Sequence, residues 1–254
     1  MKNETSKVNS KKERIIKDPE IRKNEIIQAA QKLFFSQGYE NTPITDILHA
    51  TGIAKGTFYH YFKSKDELLS EMVNMVATAA IQQIQKIIEM PITPLEKLNR
   101  SFQNSQNIKV ENLETMKASY EALYKEENIK LRVKINEQII QDTVPFFGNI
   151  IEEGIKLGDF KRLDPDQEAD SLAEAIMALA IHMGSKNAHL FISEDPDIAK
   201  KLEKNILYFE KSVERLLDLQ PGSFHTVEPK TLKLMIKGLS KKSGNKQIEG
   251  EHND

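Results

Sequence analysis

The stretch Thr42 to Lys65, TPITDILHATGIAKGTFYHYFKSK, restricts the fold more than any other part of this chain. Thr42 is a good N-cap, and Pro43 suits a first helical position, where its missing N–H is no loss. Ile44, Ile47 and Leu48 then recur at i, i+3, i+4, the apolar stripe of a helix of about two turns. Gly52 is placed to end it in the left-handed conformation. The pattern restarts at Ala54, with Phe58 and Phe62 four apart as a buried pair. Lys55, Gly56, Thr57, Tyr59, His60 and Tyr61 have no apolar work between them. Two short helices around a tight turn, the second with a polar outer face and a Gly near its start, make a helix-turn-helix shaped for the major groove of duplex DNA.

The run from Ile21 to Leu69 resembles the DNA-binding domain of the TetR-type transcriptional regulators. The likeness rests on LFFSQGYENT at the end of the first helix, on ITDILHATGIAKGTFYHYF, and on the following KSKDELL. It departs at Ala54, where that family usually carries a capping Ser; such a loss costs roughly 0.5–2 kcal/mol of local helix stability. Thr57, Tyr59, Tyr61 and Lys65 are expected to hold phosphates. Thr45, Lys55 and His60 are expected to reach base edges, Gly56 to let the backbone come close, and Thr42 is counted with them among the DNA-binding residues.

Charge agrees with one nucleic-acid-facing end. The net charge of −2 divides into +5 over residues 1–65 and −7 over residues 66–254, so the basic part coincides with the helix-turn-helix. Residues 1–17 carry Lys2, Lys7, Lys11, Lys12, Arg14 and Lys17 without apolar periodicity, and are read as a disordered basic arm or a solvated tail. There is no cysteine, which removes disulfide frameworks and thiolate metal sites and fits a cytoplasmic protein. The run MKNETSKVNSKKER lacks the apolar core of a signal peptide, so none is expected, and no apolar run approaches membrane-span length.

Beyond the first domain the spacing predicts helices throughout. Ser64-Lys65-Asp66-Glu67 is a capping box opening a helix to about Met90. Further helices are expected near 94–108, 111–125, 128–157, 165–186 and 196–219, with Pro145 kinking or splitting the third of these. Asp18-Pro19, Thr42-Pro43, Thr93-Pro94, Asp164-Pro165 and Asp195-Pro196 each pair an N-cap residue with Pro and are read as helix starts. The resulting architecture is all-α. A three-helix DNA-binding domain at 18–66 precedes a helical regulatory and dimerisation domain at 67–220 and a tail at 221–254.

The last two helices are expected to form a four-helix interface around a two-fold axis, through Leu172, Ile176, Leu179 and Met183 on one and Leu202, Ile206, Phe209 and Val213 on the other. The alternative is that these faces fill the internal core. A homodimer would match two half-sites about 34–36 Å apart on double-stranded DNA. Phe102, Met116, Tyr120, Tyr124, Phe146, Phe147 and His182 are candidates to line a pocket for a small apolar or amphipathic effector; plain core is the competing account.

No HExxH, phosphate loop or GxSxG elbow occurs, and the six histidines lack metal-ligand spacing. An enzyme, a cofactor and a metal are therefore not expected. In the tail, Leu232, Met235, Ile236 and Leu239 alternate with Lys230, Lys233, Lys237, Lys241 and Lys242 as a short amphipathic helix, most simply docked on its own domain. Together these features imply a ligand-responsive, dimeric transcriptional regulator, most often a repressor in the resembled family, acting on a palindromic operator. The competing reading is a DNA-bound architectural or assembly factor whose second domain holds a protein partner.

Overall fold

A computed structural model describes residues 18–105, 113–162, 164–193, 195–233 and 236–237. Among them there are α-helices and no strand. The basic arm at 1–17 and the tail residues Met235, Leu239, Lys241 and Lys242 lie outside the described residues.

The first domain packs α1 (Pro19–Gln37), α2 (Ile44–Thr51) and α3 (Lys55–Tyr61) against the start of α4 (Lys65–Ile88). Asp18 caps α1 by accepting from the Glu20 N–H at 2.8 Å, with Pro19 in the first turn. Gly52 ends α2 at φ 65°, ψ 24°, the left-handed position that favours glycine. Ser64 Oγ accepts from the Glu67 N–H at 3.1 Å, and the Glu67 carboxylate reaches back to the Lys63 N–H. That is the capping box, closed one residue earlier than its usual form.

Thr42, by contrast, caps nothing. Pro43 occupies the N-cap of α2 without a side-chain bond, while Thr42 is fully buried, its hydroxyl donating to the Gly38 carbonyl at 2.6 Å. Pinned to the α1 terminus, it serves the turn from inside.

The second domain continues through α5 (Pro94–Ser105), α6 (Leu113–Leu123), a single 3-10 turn (Glu126–Asn128), α7 (Ile129–Leu157), α8 (Ala169–Ile192) and α9 (Ile198–Leu216). Thr93 caps α5 through the Glu96 N–H at 3.2 Å. Pro145 lies inside an unbroken α7 and does not split it. At the end of α7, Gly158 is left-handed, and the N–H groups of Asp159 and Phe160 both return to the Gly154 carbonyl. This folds the fully buried Phe160 ring onto Gly154, where a Cβ would stand 2.2 Å from a ring carbon.

Two of the Asp-Pro pairs open turns instead of helices. Asp164 accepts from the Asp166 N–H at 3.0 Å and Asp195 from the Asp197 N–H at 2.8 Å. Each side chain thereby closes a local turn, and α8 and α9 begin a few residues later than the prolines suggest.

The core of the second domain joins α5, α7, α8 and α9 through Leu98, Phe102, Phe147, Ile151, Leu172, Ile176, Phe209 and Val213. A smaller cluster holds Phe191, Ile198, Leu202 and Ile206. Leu172, Ile176, Leu202, Ile206, Phe209 and Val213, expected at a dimer surface, are thus buried within one chain. The apolar stripes of α8 and α9 are what hold these helices to their own domain. Leu179 and Met183 are half-buried at its margin.

The boundary expected at residue 220 is also displaced, because the backbone continues as a strap over residues 221–227. Phe224 is fully buried, 5.4 Å ring to ring from Phe102 and 6.1 Å from Phe209. One oxygen of the buried Glu214 carboxylate accepts from the N–H groups of Gly222, Ser223 and Phe224 at 2.7, 3.0 and 3.2 Å. Glu210, also buried, accepts from both the N–H and the hydroxyl of Thr226. Beyond the strap, residues 229–233 turn into a helix whose Leu232 packs against the cluster of Phe191, Ile198, Leu202, Ile206 and Val227. No helix among the described residues is long and apolar enough to cross a membrane.

Candidate nucleic-acid interface

Helix α3 stands on the first domain as a rigid post. Phe58 and Phe62, four residues apart, are buried with their rings 5.7 Å from each other and join Ile26, Ala30, Phe34, Ile47, Leu68 and Leu69 in one core. Two fully buried aromatic side chains tie this seven-residue helix to the domain, and each contributes about 1.5–3 kcal/mol by burial alone. Such a helix does not persist by its own propensity. Ala54 occupies its N-cap and makes no side-chain bond.

With the Phe pair turned inward, the opposite face is open. Lys55, Gly56, Tyr59 and His60 are exposed, as is Thr45 at the start of α2; Thr57 and Tyr61 are partly covered. Tyr59, 45 % exposed, stands edge-on to Phe58 at 5.5 Å, and the Lys55 ammonium lies 6.0 Å over its ring. His60 packs edge-on to Tyr61 at 5.1 Å. A Cβ added at Gly56 would meet no atom within 4 Å. Nothing inside the chain demands a glycine there, so a demand for one would come from a body approaching from outside.

Lys65 behaves differently from its expected role at phosphates. Its ammonium donates to the carbonyls of Tyr39 and Thr42 at 2.8 and 3.0 Å and lies 4.2 Å over the Tyr39 ring. Two of its three N–H donors are engaged inside the domain, fastening the α1–α2 turn to the head of α4. Burial lowers its pKa below the ordinary lysine value. Beside it, the Tyr39 hydroxyl donates to Asp66 at 2.8 Å, and Lys130 of α7 pairs with the same carboxylate. Hydrogen bonds from Lys130 and Tyr39 hold the Asp66 carboxyl below the usual carboxylate range. Burial first, and then the Asp66 contact, push the Tyr39 phenol well above its own. Sequence spacing could not separate a lysine that closes a turn from one that faces solvent, since both sit at the same helical position.

The residues proposed for an effector do not form one constellation. Phe102 and Phe147, rings 5.2 Å apart, belong to the close-packed aromatic core with Phe209 and Phe224. Phe146 is half-buried on α7. Tyr120 and Tyr124 pack with Phe191 and His189 respectively, and the Arg132 guanidinium lies 4.7 Å over Tyr124. His182 is exposed on α8, and the side chain of Met116 lies outside the described residues. Two open grooves, of 460 Å³ between α5 and the strap and of 300 Å³ between α8 and α9, are lined by none of them.

Comparison with known proteins places the same region. Residues 26–72 match the family described as bacterial regulatory proteins, tetR family. A transcriptional repressor, KstR2 of Mycolicibacterium smegmatis, is 28 % identical over 156 residues, covering 60 % of this chain and 72 % of its own. The fatty acid metabolism regulator protein of Bacillus subtilis is 27 % identical over 137 residues, 54 % of this chain and 70 % of its own. Among solved structures, a TetR-family regulator from Syntrophomonas wolfei superposes with a TM-score of 0.58 at 21 % identity, covering 80 % of this chain and 100 % of its own. The fatty acid degradation regulator FadR of Bacillus halodurans does so with a TM-score of 0.51 at 19 % identity, over 74 % and 93 %. At such identities the structural likeness speaks for the fold alone.

Proposed function

From the premise that this chain is a transcriptional regulator of the TetR type, we propose that it is a dimeric repressor released from a palindromic operator by a small apolar or amphipathic effector. The observation that carries DNA reading is α3, fixed by Phe58 and Phe62 with Lys55, Gly56, Tyr59 and His60 turned outward. Thr45, Lys55 and His60 reach base edges; Thr57, Tyr59 and Tyr61 hold phosphates and set the register. A repressor among the relatives supports repression, and a fatty acid metabolism regulator makes fatty-acyl compounds the first effector class to screen.

Dimerisation passes through the outward faces of α8 and α9, since their apolar stripes are occupied. Leu207 and Tyr208 are 41 % and 57 % exposed in adjacent positions of α9. Tyr208 shares the 300 Å³ groove with Lys186 and Leu190 of α8, and the exposed His182 and Ala178 lie one and two turns before Lys186 on that helix. An amphipathic aromatic rim of this kind suits a subunit interface.

The test is selection of bound duplexes from a randomised pool, followed by competition with Lys55→Ala. A lysine aimed at guanine contributes about 1–3 kcal/mol of discrimination, so the variant should select a different site. An unchanged preferred sequence would remove Lys55 from the reading helix. The close-packed Phe102, Phe147, Phe209 and Phe224 core favours the second reading, a protein partner in place of an effector. That reading takes over if thermal-shift screening of fatty-acyl and other apolar compounds finds no ligand.

A further inference from the structure

Helix α4 is not the only connection between the domains. The corner between α6 and α7 docks into the back of the helix-turn-helix, and its centre is the fully buried Asn128. The Asn128 Oδ1 accepts from the Tyr39 N–H at 2.7 Å, and its Nδ2 donates to the carbonyls of Phe34 and Ala122, both at 2.9 Å. One side-chain amide therefore joins the end of α1, the α1–α2 turn and the end of α6. Around it, the Glu40 N–H donates to the Glu127 carbonyl at 3.1 Å, and the Lys125 ammonium to the Ser36 carbonyl at 2.8 Å. Gly38, at φ 94°, lies so close that a Cβ would stand 2.4 Å from that of Glu127. One turn along α7, Leu131 is fully buried in the core of the first domain, not of the second.

We propose that Asn128 is a positioning residue for DNA binding. It locks the helix-turn-helix to the α6–α7 corner, so that the two α3 helices of a dimer are held at one spacing and a movement of that corner in the second domain is passed on to them. This rests on the regulator reading above and adds to it where control enters. The physical reason lies in burial. A surface contact can slide because water replaces each lost bond, whereas a buried amide with three partners leaves several polar groups unsatisfied when it shifts. Such a joint is either closed or broken, as a switch between two discrete arrangements requires.

The test exploits the absence of cysteine. Thiols introduced by Lys32→Cys on α1 and Glu203→Cys on α9, both at exposed positions, carry spin labels in full-length chain diluted with unlabelled protein. In the otherwise unaltered chain a single narrow distance between them is expected. Asn128→Ala should broaden or displace it, lower affinity for the selected operator about tenfold, and flatten the dependence on half-site spacing when base pairs are inserted at the centre. A folded Asn128→Ala with unchanged distance overturns the proposal, whether or not affinity falls, because the residue would then act only locally. Should Asn128→Ala fail to fold by circular dichroism, Asn128→Ser, which retains one polar group, takes its place in the same measurements: a broadened or displaced distance supports the joint, and an unchanged one overturns it. Failure of the unaltered chain to select any duplex would refute the regulator reading while leaving the distance result to judge the joint.

Discussion

The strap over residues 221–227 gives the sharpest energetic prediction, since without Phe224 the aromatic core would stand open. Its side chain is fully buried and faces the rings of Phe102 and Phe209 at 5.4 and 6.1 Å. Phe224→Ala removes that ring and leaves a cavity where the strap backbone is held in place. Substitutions of this kind cost about 3–5 kcal/mol, including about 0.5–1.5 kcal/mol for each aromatic pair. The strap's three N–H bonds to Glu214 anchor its backbone beside the missing ring, so little collapse into the cavity is available and the upper half of the range is expected. At roughly 2–4 °C per kcal/mol for a domain of this size, the melting temperature should fall by about 8–20 °C. Urea unfolding followed by far-ultraviolet circular dichroism, with the slope compared between the two proteins, supplies the measurement. A loss below about 1 kcal/mol at unchanged slope would show the strap to be a dispensable tail after all.

Lys65→Ala should cost about 1–3 kcal/mol in stability, because the Thr42 carbonyl loses the ammonium donor and the Tyr39 carbonyl keeps only its bond from the Thr42 N–H; a variant that weakens DNA binding at an unchanged melting temperature would return Lys65 to phosphate contact. Tyr208→Glu should yield a folded monomer in light scattering, whereas Ile176→Glu places a charge in the core and should unfold the chain. A folded, monomeric Ile176→Glu would restore the α8 stripe to the interface. Burial raises the Glu210 carboxyl above its ordinary 4.5. The folded state then binds more protons than the unfolded one between those two values, so stability should fall as pH rises through that window. Glu210→Gln should flatten this part of the stability–pH curve, and an unaltered curve would acquit Glu210.

What the sequence by itself determined is local. The Phe58–Phe62 spacing, the left-handed Gly52 and the Ser64 capping box each act within a few residues, and all three stand in the structure as the pattern implies. Partners distant along the chain were beyond such patterns. The stripe Leu172, Ile176 on α8 with Ile206, Phe209 and Val213 on α9 is apolar whether it meets a second subunit or its own domain, and only the tertiary packing assigned it inward. Thr42 and Lys65 look like surface residues until α1, the turn and α4 converge and claim their polar atoms. Asn128 carries no periodic signal at all, since its partners Phe34 and Tyr39 lie some ninety residues earlier. Hydrophobic period and capping chemistry are properties of a helix alone, whereas the choice of which groups a buried amide or an apolar face satisfies arises only when separate helices compete for the same space.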